Sequence, residues 1–380
     1  MLIYLDLFLS LALSFTIAFL LIPKIIQVSI TKKLFDVPNH RSAAKHVVPT
    51  LGGIAIFAGF RIAQVISLNN FDVNELKYLS ISVIAMLFVG LMDDLVGLPA
   101  RSKFIIQLVM AIYLVILGHF RITNFHGILG INEISFITGT IFSVIAIVGI
   151  INAVNLIDGL DGLASGIGIL VSLVYGTWFF IGGDYVYAIT CFSLVGSLIA
   201  FFLYNVFGTT NKIFMGDTGS LILGTIFAIL TLHFNEFNPS ANGLHGLPAL
   251  SLAIIIVPVI DTSRIFVIRL WQGKSPFSPD MNHIHHQVLR LTGSHLYSSL
   301  TIIAVNAMFI LLSFSLIDTF GNNLLFFILL VLGFIFAGIP SWILKIHNKN
   351  SGTKPENNSI QDLTLSGKEI KKIKKITVLK

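Results

Sequence analysis

Residues 136–164 read FITGTIFSVIAIVGIINAVNLIDGLDGLA, and this stretch decides the fold. Its first part, residues 136–153, contains no charged side chain, and about 20 mostly apolar residues are enough to cross the hydrocarbon core of a membrane. Similar unbroken apolar runs recur along the 380-residue chain, which is 55% hydrophobic and only 11% charged. A soluble domain carries about a quarter charged residues, so the composition excludes a soluble enzyme. The runs are also too long for a transmembrane barrel, whose strands alternate over about 10 residues.

The apolar windows predict an all-α, polytopic integral membrane protein with about 11 transmembrane helices. They lie near residues 4–27, 51–68, 76–92, 104–119, 136–153, 163–181, 185–206, 219–235, 247–268, 299–317 and 323–344. Arg61 and Gln64 interrupt the second window, and Asp261 with Arg264 favours a ninth helix that continues into solvent. We expect residues 1–344 to form one multi-span domain, followed by a mobile basic cytoplasmic tail at 345–380.

The distribution of Lys and Arg predicts the orientation of these spans. The loops after odd-numbered spans contain Lys32, Lys33, Arg41, Lys45, Arg101, Lys103, Lys212, Lys274 and Arg290, whereas the opposite loops contain only Lys77 and Arg121. Cytoplasmic loops are enriched in basic residues, so we expect the N-terminus outside and the C-terminus in the cytoplasm. The net charge of +6 reflects this pattern and the Lys-rich tail, so we expect no nucleic-acid partner. The single cysteine, Cys191, excludes an intrachain disulfide framework.

Two adjacent acids, Asp93 and Asp94, close the third predicted span. Ionisable groups at this depth are costly, and a functional role is the default interpretation. Neighbouring helical residues point about 100° apart, so the two acids are expected to have different roles. One would accept a proton or hold a metal, and the other would be oriented by a basic partner. The alternative is a helix-end acid pair neutralised by Arg101 and Lys103.

The segment from Asn152 to Asp161 contains a second polar cluster. Asp158 and Asp161 stand at i, i+3 and share one face if the turn is helical, and Asn155 adds a neutral oxygen three residues earlier. Two carboxylates held together near a lipid boundary need a cation or a shared proton. Oxygen-only ligands favour Mg²⁺ or Mn²⁺ over zinc. A Gly-Asp turn at a helix end is the alternative interpretation.

Residues 214–220, FMGDTGS, open the eighth predicted span. Asp217 would lie near the helix start, where free backbone N–H groups and the helix dipole attract anions. A carboxylate ligand for a metal at this position would suit a diphosphate bridged to magnesium. The alternative is that Asp217 is a simple N-cap.

Three histidines, His283, His285 and His286, lie in the loop between the ninth and tenth predicted spans. No cysteine and no helical His-Glu-x-x-His pattern accompanies them, and basic residues nearby favour an anion-binding loop over a zinc site. The other predicted substrate-binding residues are Lys45, His46, Asn205 and Phe214.

In this order, Asp93-Asp94, NLIDGLDGLA at 155–164 and FMGDTGS at 214–220 resemble the signature of the polyprenyl-phosphate N-acetylhexosaminyl-1-phosphate transferase family, glycosyltransferase family 4. The resemblance covers roughly residues 30–290. The segment SPFSPD before HIHH is similar to the WecA and TagO type branch, whereas the related MraY type carries three consecutive histidines. This implies a donor of the UDP-GlcNAc kind.

Two features depart from the family pattern. The loop between Asn205 and Phe214 is two residues longer than usual and lacks its proline, which affects the nucleotide pocket. Met281 stands where many relatives have a basic residue, so a contact to the donor phosphates is missing or is supplied by Lys274.

The resemblance implies a Mg²⁺-dependent reaction, with Mn²⁺ as the alternative metal. A polyprenyl (undecaprenyl) phosphate oxygen would attack the β-phosphorus of a UDP-N-acetylhexosamine and release UMP, which starts a cell-envelope polysaccharide. The metal ligands would be Asp217 and Asn155. Asp93 or Asp94 would keep the lipid phosphate deprotonated, and the remaining aspartates would place the donor or complete the metal shell. The expected location is the bacterial cytoplasmic (inner) membrane, among membrane lipid, with the site facing the cytoplasm and a homodimer allowed.

Two other classes of protein compete with this interpretation. In a transporter, Asp261 and Arg264 would be the coupling pair, but the polar clusters lie at one membrane face rather than at the midplane between repeats. An intramembrane prenyltransferase also uses paired aspartates with magnesium and diphosphate. It requires a DDxxD pattern, and Asp93-Asp94-Leu-Val-Gly lacks the third acid.

Overall fold

The computed structural model describes residues 2–32, 34–36, 48–74, 76–237, 247–273 and 282–350, and most of them are helical. The helices are α1 (Leu2–Lys32), α2 (Gly52–Ser67), α3 (Leu76–Val96), α4 (Ala100–Ile116), α5 (Phe136–Ile157), α6 (Leu163–Gly182), α7 (Tyr185–Phe207), α8 (Gly216–Glu236), α9 (Pro248–Ile254), α10 (Ile256–Trp271), α11 (Ile284–Thr292) and α12 (His295–Asn350). Two short antiparallel hairpins pair β1 (Phe35–Asp36) with β2 (Val48–Pro49) and β3 (Asn124–Ile128) with β4 (Ile131–Glu133).

The predicted all-α polytopic membrane fold is confirmed. Seven of the described helices are long and apolar enough to cross a membrane, or eight if the bent pair α9 and α10 counts as one span. This number is below the predicted eleven, because α2 and α4 have only 16 and 17 residues. In addition, α12 contains two helical parts that meet at Gly321, whose φ of 68° and ψ of 169° are not helical. It ends at Asn350 and so includes the first residues, 345–350, of the segment predicted as a tail.

The ninth predicted span is not one straight helix, because the chain bends by 86° between α9 and α10. Pro258 lacks the N–H group that the carbonyl of Ile254 would accept in a continuous helix. Asn306 of α12 replaces that bond, since its Nδ2 donates to the carbonyl oxygen of Ile254 at 2.9 Å. Its Oδ1 accepts the N–H of Val257 at 3.2 Å. The bend is therefore built into the fold by one proline and one buried amide.

Helix α8 lies at the centre of the molecule, with most of its side chains buried against α2, α3 and α5. Glycines permit the close approach of its neighbours. A Cβ on Gly53 of α2 would stand 2.2 Å from the backbone nitrogen of Gly219, and a Cβ on Gly90 of α3 would stand 2.4 Å from the Cα of Thr218. The first turn of α8 is thus held between two helices, and this turn carries Asp217.

The segment that precedes α8 is bound to the start of α2 through the backbone. The N–H of Phe214 donates to the carbonyl of Pro49 at 2.8 Å, and the N–H of Gly52 donates to the carbonyl of Phe214 at 3.0 Å. The N–H of Gly53 donates to the carbonyl of Met215, also at 3.0 Å. These bonds fix the direction in which the chain enters α8.

Candidate active site

Asp94, near the end of α3, caps helix α8. Its Oδ1 accepts the N–H of Asp217 at 2.8 Å, and its Oδ2 accepts the N–H and the hydroxyl of Thr218 at 3.0 and 2.6 Å. The first N–H groups of a helix have no helical partners and form the positive end of its dipole, so a carboxylate is favoured there. Because Asp94 accepts these N–H groups, the alternative in which Asp217 caps its own helix is wrong. Gly216, the first residue of α8, has φ 71°, and a Cβ on it would stand 2.1 Å from the carbonyl oxygen of Thr50.

Because Asp94 supplies the cap, the carboxylate of Asp217 is available for other contacts. Its Oδ2 lies 2.8 Å from Nζ of Lys103 in α4, and its Oδ1 accepts Nδ2 of Asn155 at 3.0 Å. The same ammonium group lies 2.8 Å from Oδ2 of Asp93, whose Oδ1 accepts the N–H of Leu98 at 2.6 Å. Lys103 thus bridges two carboxylates that come from different helices. The side chain of Asp217 is 28% exposed, so a ligand can reach it.

The turn after α5 brings a third carboxylate to the site. Asp158 makes no hydrogen bond or ion pair with another described residue. Burial, together with the negative charges of Asp217 and Asp94, raises the pKa of Asp158 to about 7. A Cβ on the next residue, Gly159, would lie 2.2 Å from Nε2 of His285, so the imidazole packs directly on this turn. The structure therefore brings the histidine segment to the aspartate segment, as predicted for a common site.

Asp161 lies between two basic groups. Its Oδ2 is 2.6 Å from Nζ of Lys212 and 3.2 Å from Nδ1 of His295. Burial raises the pKa of Asp161, but the hydrogen bonds from His295 and Lys212 outweigh it and leave this pKa below its ordinary value. Nζ of Lys212 also lies 5.8 Å from the ring centroid of Phe214. The carboxylate of Asp161 is thus paired, whereas that of Asp158 has no cationic partner among the described side chains.

Asn205 is buried, and its amide bonds two backbone groups of the site. Its Oδ1 accepts the N–H of Gly162 at 2.6 Å, and its Nδ2 donates to the carbonyl of Ile213 at 2.9 Å. Gly162 has φ 77°, a conformation that glycine adopts without strain. The amide therefore joins the turn after α5 to the loop before α8.

The histidine segment is anchored by Asp261 of α10, which is 2% exposed. Oδ2 of Asp261 accepts Nδ1 of His283 at 2.9 Å, and its Oδ1 accepts the N–H of Ile284 at 3.0 Å. Arg264 lies 3.3 Å from Asp261 and also donates to the carbonyl of Asn282. These contacts attach α10 to the histidine segment. Neither interpretation of Asp261 from the sequence, a helix that continues into solvent or a transporter's coupling pair, anticipated them.

The imidazole of His285 is buried and neutral. Burial, together with the neighbouring His286, lowers the pKa of His285 to about 3. The ring centroids of His285 and His286 are 4.2 Å apart, and those of His283 and His285 are 5.6 Å apart with nearly parallel planes. The three predicted histidines are therefore in mutual contact through the central ring.

Two predicted substrate-binding residues, Lys45 and His46, lie outside the described residues, as do Lys274 and Met281. Four side chains in or beside the site were not predicted as members of it: Lys103, Lys212, His295 and Asp261. Lys103 was considered only as a neutralising partner of the neighbouring aspartates. The position of Lys212 two residues before Phe214 was an available signal, whereas no spacing in the sequence connects His295 or Asp261 to the other motifs.

The residues present fit a hard divalent cation. Nδ2 of Asn155 donates to Oδ1 of Asp217 and, at 2.8 Å, to Oγ of Ser220. Oδ1 of Asn155 accepts no hydrogen bond from the described residues, so it is available to a cation. Together with Asp217 and Asp158, this gives an all-oxygen donor set. Within the described part of the chain, no three His, Cys, Asp or Glu side chains are placed to hold a metal by themselves. Mg²⁺ commonly binds through one or two carboxylates and completes its shell with substrate phosphates and water, which suits this set.

Comparison with known proteins identifies the family of the chain. Residues 76–235 match the model of glycosyl transferase family 4. The undecaprenyl-phosphate alpha-N-acetylglucosaminyl 1-phosphate transferase of Haemophilus influenzae is 34% identical over 263 residues, which are 68% of this chain and 72% of the relative. Proteins of the same name from Salmonella typhi and Escherichia coli K12 are 28% and 27% identical, over 73% and 68% of this chain and 74% and 69% of theirs. Since the similarity extends over two thirds of both chains and the family model covers α3 to α8, which build the site, the chain belongs to glycosyl transferase family 4.

Proposed function

We propose that this enzyme transfers N-acetylglucosamine-1-phosphate from UDP-GlcNAc to undecaprenyl phosphate, releases UMP and so starts a cell-envelope polysaccharide. The observation that carries the proposal is the convergence of Asp93, Asp158 and Asp217 with Asn155 at the N-terminal end of the buried helix α8. The named relatives act on undecaprenyl phosphate and N-acetylglucosaminyl 1-phosphate, which supports the same substrates here.

The charges of the site explain why it needs a cation. Five aspartates lie around it, Asp93, Asp94, Asp158, Asp161 and Asp217, and both proposed substrates are anions. Lys103 and Lys212 are each engaged with these carboxylates and leave an excess of negative charge. When bound, Mg²⁺ supplies positive charge at the diphosphate oxygens and stabilises the charge that develops on the leaving group. We assign Asp217 and Asn155 as its ligands, with Asp158 beside them; Mn²⁺ would fit the same oxygens.

The remaining charged groups orient the reactants. In the reaction, a lipid phosphate oxygen bonds to the β-phosphorus, and the bond from that phosphorus to the bridging oxygen of UMP breaks. Asp93, held by Lys103, is the aspartate we assign to the lipid phosphate, where it accepts any remaining proton. That role is small at neutral pH, because the second pKa of a phosphate monoester is about 6. Asp94 acts by position, since both of its oxygens bind α8.

The donor is proposed to bind over the turn after α5 and the loop before α8. Phe214 would stack on uracil. Lys212 lies between the Phe214 ring and Asp161, and Asp161 would place the ribose and phosphate portion of the donor. His286, together with His283 and His285, would contact phosphate or sugar oxygens, joined by Lys45 and His46. Asn205 keeps the two backbone segments in register. We therefore revise its predicted direct substrate contact to a positioning role.

We also propose the finer topology: eleven crossings, the N-terminus outside, and the site and tail on the cytoplasmic side of a bacterial inner membrane. Helices occupy all eleven predicted windows when α9 with α10 counts as one crossing and α12 counts as two halves around Gly321. The nine-to-two distribution of basic residues supports the orientation. Under this topology UDP-GlcNAc reaches the site from the cytoplasm, and undecaprenyl phosphate reaches it from the bilayer. A homodimer is compatible with this arrangement and is tested by cross-linking in membranes.

The proposed function is tested with purified protein in detergent and undecaprenyl phosphate, by measuring UMP release and lipid product. UDP-GlcNAc, UDP-GalNAc and UDP-MurNAc-pentapeptide are compared as donors, with and without Mg²⁺. We expect UMP only with UDP-GlcNAc and Mg²⁺, and no turnover for Asp217→Asn. Asp72→Asn, in the exposed loop before α3, is the matched control and should retain wild-type activity. Absence of UMP with every donor would refute the reaction class, and wild-type turnover in Asp217→Asn would refute the metal assignment.

A further inference from the structure

Asp261 is a buried carboxylate whose two shortest hydrogen bonds come from another part of the chain. It lies on α10, yet it accepts hydrogen bonds from the ring of His283 at 2.9 Å and from the backbone of Ile284 at 3.0 Å. The side chain of His283 does not cap α11, although His283 occupies the N-cap position of that helix. Asp261 therefore provides the cap of α11 from a neighbouring helix.

This cap is connected to the reaction site by direct contacts. The ring of His283 stacks on that of His285, with centroids 5.6 Å apart and an interplanar angle of 16°. His285 in turn fills the space over Gly159, beside Asp158. A shift of the first turn of α11 would therefore move His285 from the aspartate turn.

We propose that Asp261 is a positioning residue for transfer, which holds His283 and the first turn of α11 so that His285 remains packed on the turn at Gly159. The proposal rests on the proposed transferase function. Asp261 touches neither proposed substrate, and it acts through His283.

The direction of the hydrogen bonds explains why an aspartate is required. A carboxylate only accepts hydrogen bonds, so Nδ1 of His283 must carry a proton and the ring orientation is fixed. An asparagine at position 261 has the same shape, but one of its two polar atoms is a donor. If its oxygen accepts the N–H of Ile284, its amide group faces Nδ1 of His283 and selects the other tautomer. Asp261→Asn thus reverses one hydrogen bond and removes the ion pair with Arg264, while it preserves the volume of the side chain.

The first arm of the test is a double-mutant cycle in UMP release with Asp261→Asn, His283→Ala and the combined variant. We expect Asp261→Asn to lower kcat by about tenfold or more, with the KM for UDP-GlcNAc changed by less than about twofold. If Asp261 acts through His283, the combined variant should be no slower than His283→Ala. Losses that multiply, or a kcat of Asp261→Asn within about twofold of the wild type, would overturn the proposal.

The second arm measures hydrogen exchange of the detergent-solubilised protein and does not depend on activity. Peptides that contain Ile284–Thr292 should exchange faster in Asp261→Asn than in the wild type, whereas Asp72→Asn should leave them unchanged. Unchanged exchange in Asp261→Asn would overturn the anchoring role even if activity fell. If the wild type released UMP from no donor, the proposed function would fail, and the exchange result would still decide whether Asp261 anchors α11.

Discussion

The capping of α8 by Asp94 leads to a quantitative expectation for Asp94→Asn. In the wild type, two oxygens of Asp94 accept three hydrogen bonds, from the N–H of Asp217 and from the N–H and hydroxyl of Thr218. Asparagine has one accepting oxygen, so it loses one or two of these bonds and turns an amide donor towards an N–H group. A hydrogen bond to a charged acceptor contributes about 1.5–3 kcal/mol, and a charge at a helix N-terminus about 0.3–1 kcal/mol. We expect a loss of about 2–4 kcal/mol in the free energy of unfolding.

This loss should appear both in stability and in turnover. A fall of about 3–5 °C in Tm, measured by thermal unfolding in detergent, corresponds to that free energy in a chain of this size. Asp217 lies on the turn that Asp94 holds, and a displacement of about 1 Å at a reacting group can lower the rate by about 10²-fold. We therefore expect kcat for UMP release to fall by about 10- to 100-fold.

Asp93→Asn is the matched control, because it removes the adjacent carboxylate, which accepts no backbone N–H of α8. Asparagine at position 93 keeps one oxygen for the N–H of Leu98 and loses mainly the ion pair with Lys103, which contributes about 1 kcal/mol or less at a partly exposed site. Its Tm should therefore fall much less than that of Asp94→Asn, although its turnover also decreases. A wild-type Tm for Asp94→Asn, or a larger fall for Asp93→Asn, would refute the capping argument.

Two further changes test the other sides of the site. Gly159→Ala places a methyl group where Nε2 of His285 lies 2.2 Å away, so we expect a displaced ring and about a tenfold fall in UMP release; wild-type turnover would contradict the packing. Lys212→Met removes one of the hydrogen bonds that keep the pKa of Asp161 low, whereas the burial that raises this pKa remains. The pKa of Asp161 therefore rises, and its carboxylate is protonated at higher pH than in the wild type. The activity ratio of wild type to variant should therefore be larger at pH 6 than at pH 8; a pH-independent ratio, or the same profile in the control Lys77→Met, would contradict this.

Much of the membrane fold follows from hydropathy alone, because about 20 uncharged residues have few alternatives to a crossing helix. The breaks inside spans follow from particular side chains and are harder to predict. Pro258 indicates that the helix is disturbed, but the 86° bend also depends on Asn306, which is distant in sequence and satisfies the freed backbone groups.

The aspartates of the site could be predicted as a group but not in their individual roles. The i, i+3 spacing of Asp158 and Asp161 placed both on one turn, yet among the residues that the structure describes only Asp161 has basic partners. Those partners, Lys212 and His295, come from separate segments, and the spacing of residues along the chain does not predict contacts between distant segments. Likewise, the adjacency of Asp93 and Asp94 indicated two roles, but only the position of α8 shows that Asp94 is the cap.

Asp94 and Asp261 show the same structural solution at two places. Each is carried by one apolar helix and accepts the first N–H groups of another helix, α8 or α11, whose own residues leave those groups uncapped. An unpaired N–H at a membrane boundary is costly, because little water is available to satisfy it. Oxygens of both carboxylates thus serve the helix starts: those of Asp94 accept the first N–H groups of α8, and Oδ1 of Asp261 accepts the N–H of Ile284. We therefore propose that a bound metal would use oxygens of Asp217, Asp158 and Asn155 rather than those of the two capping carboxylates.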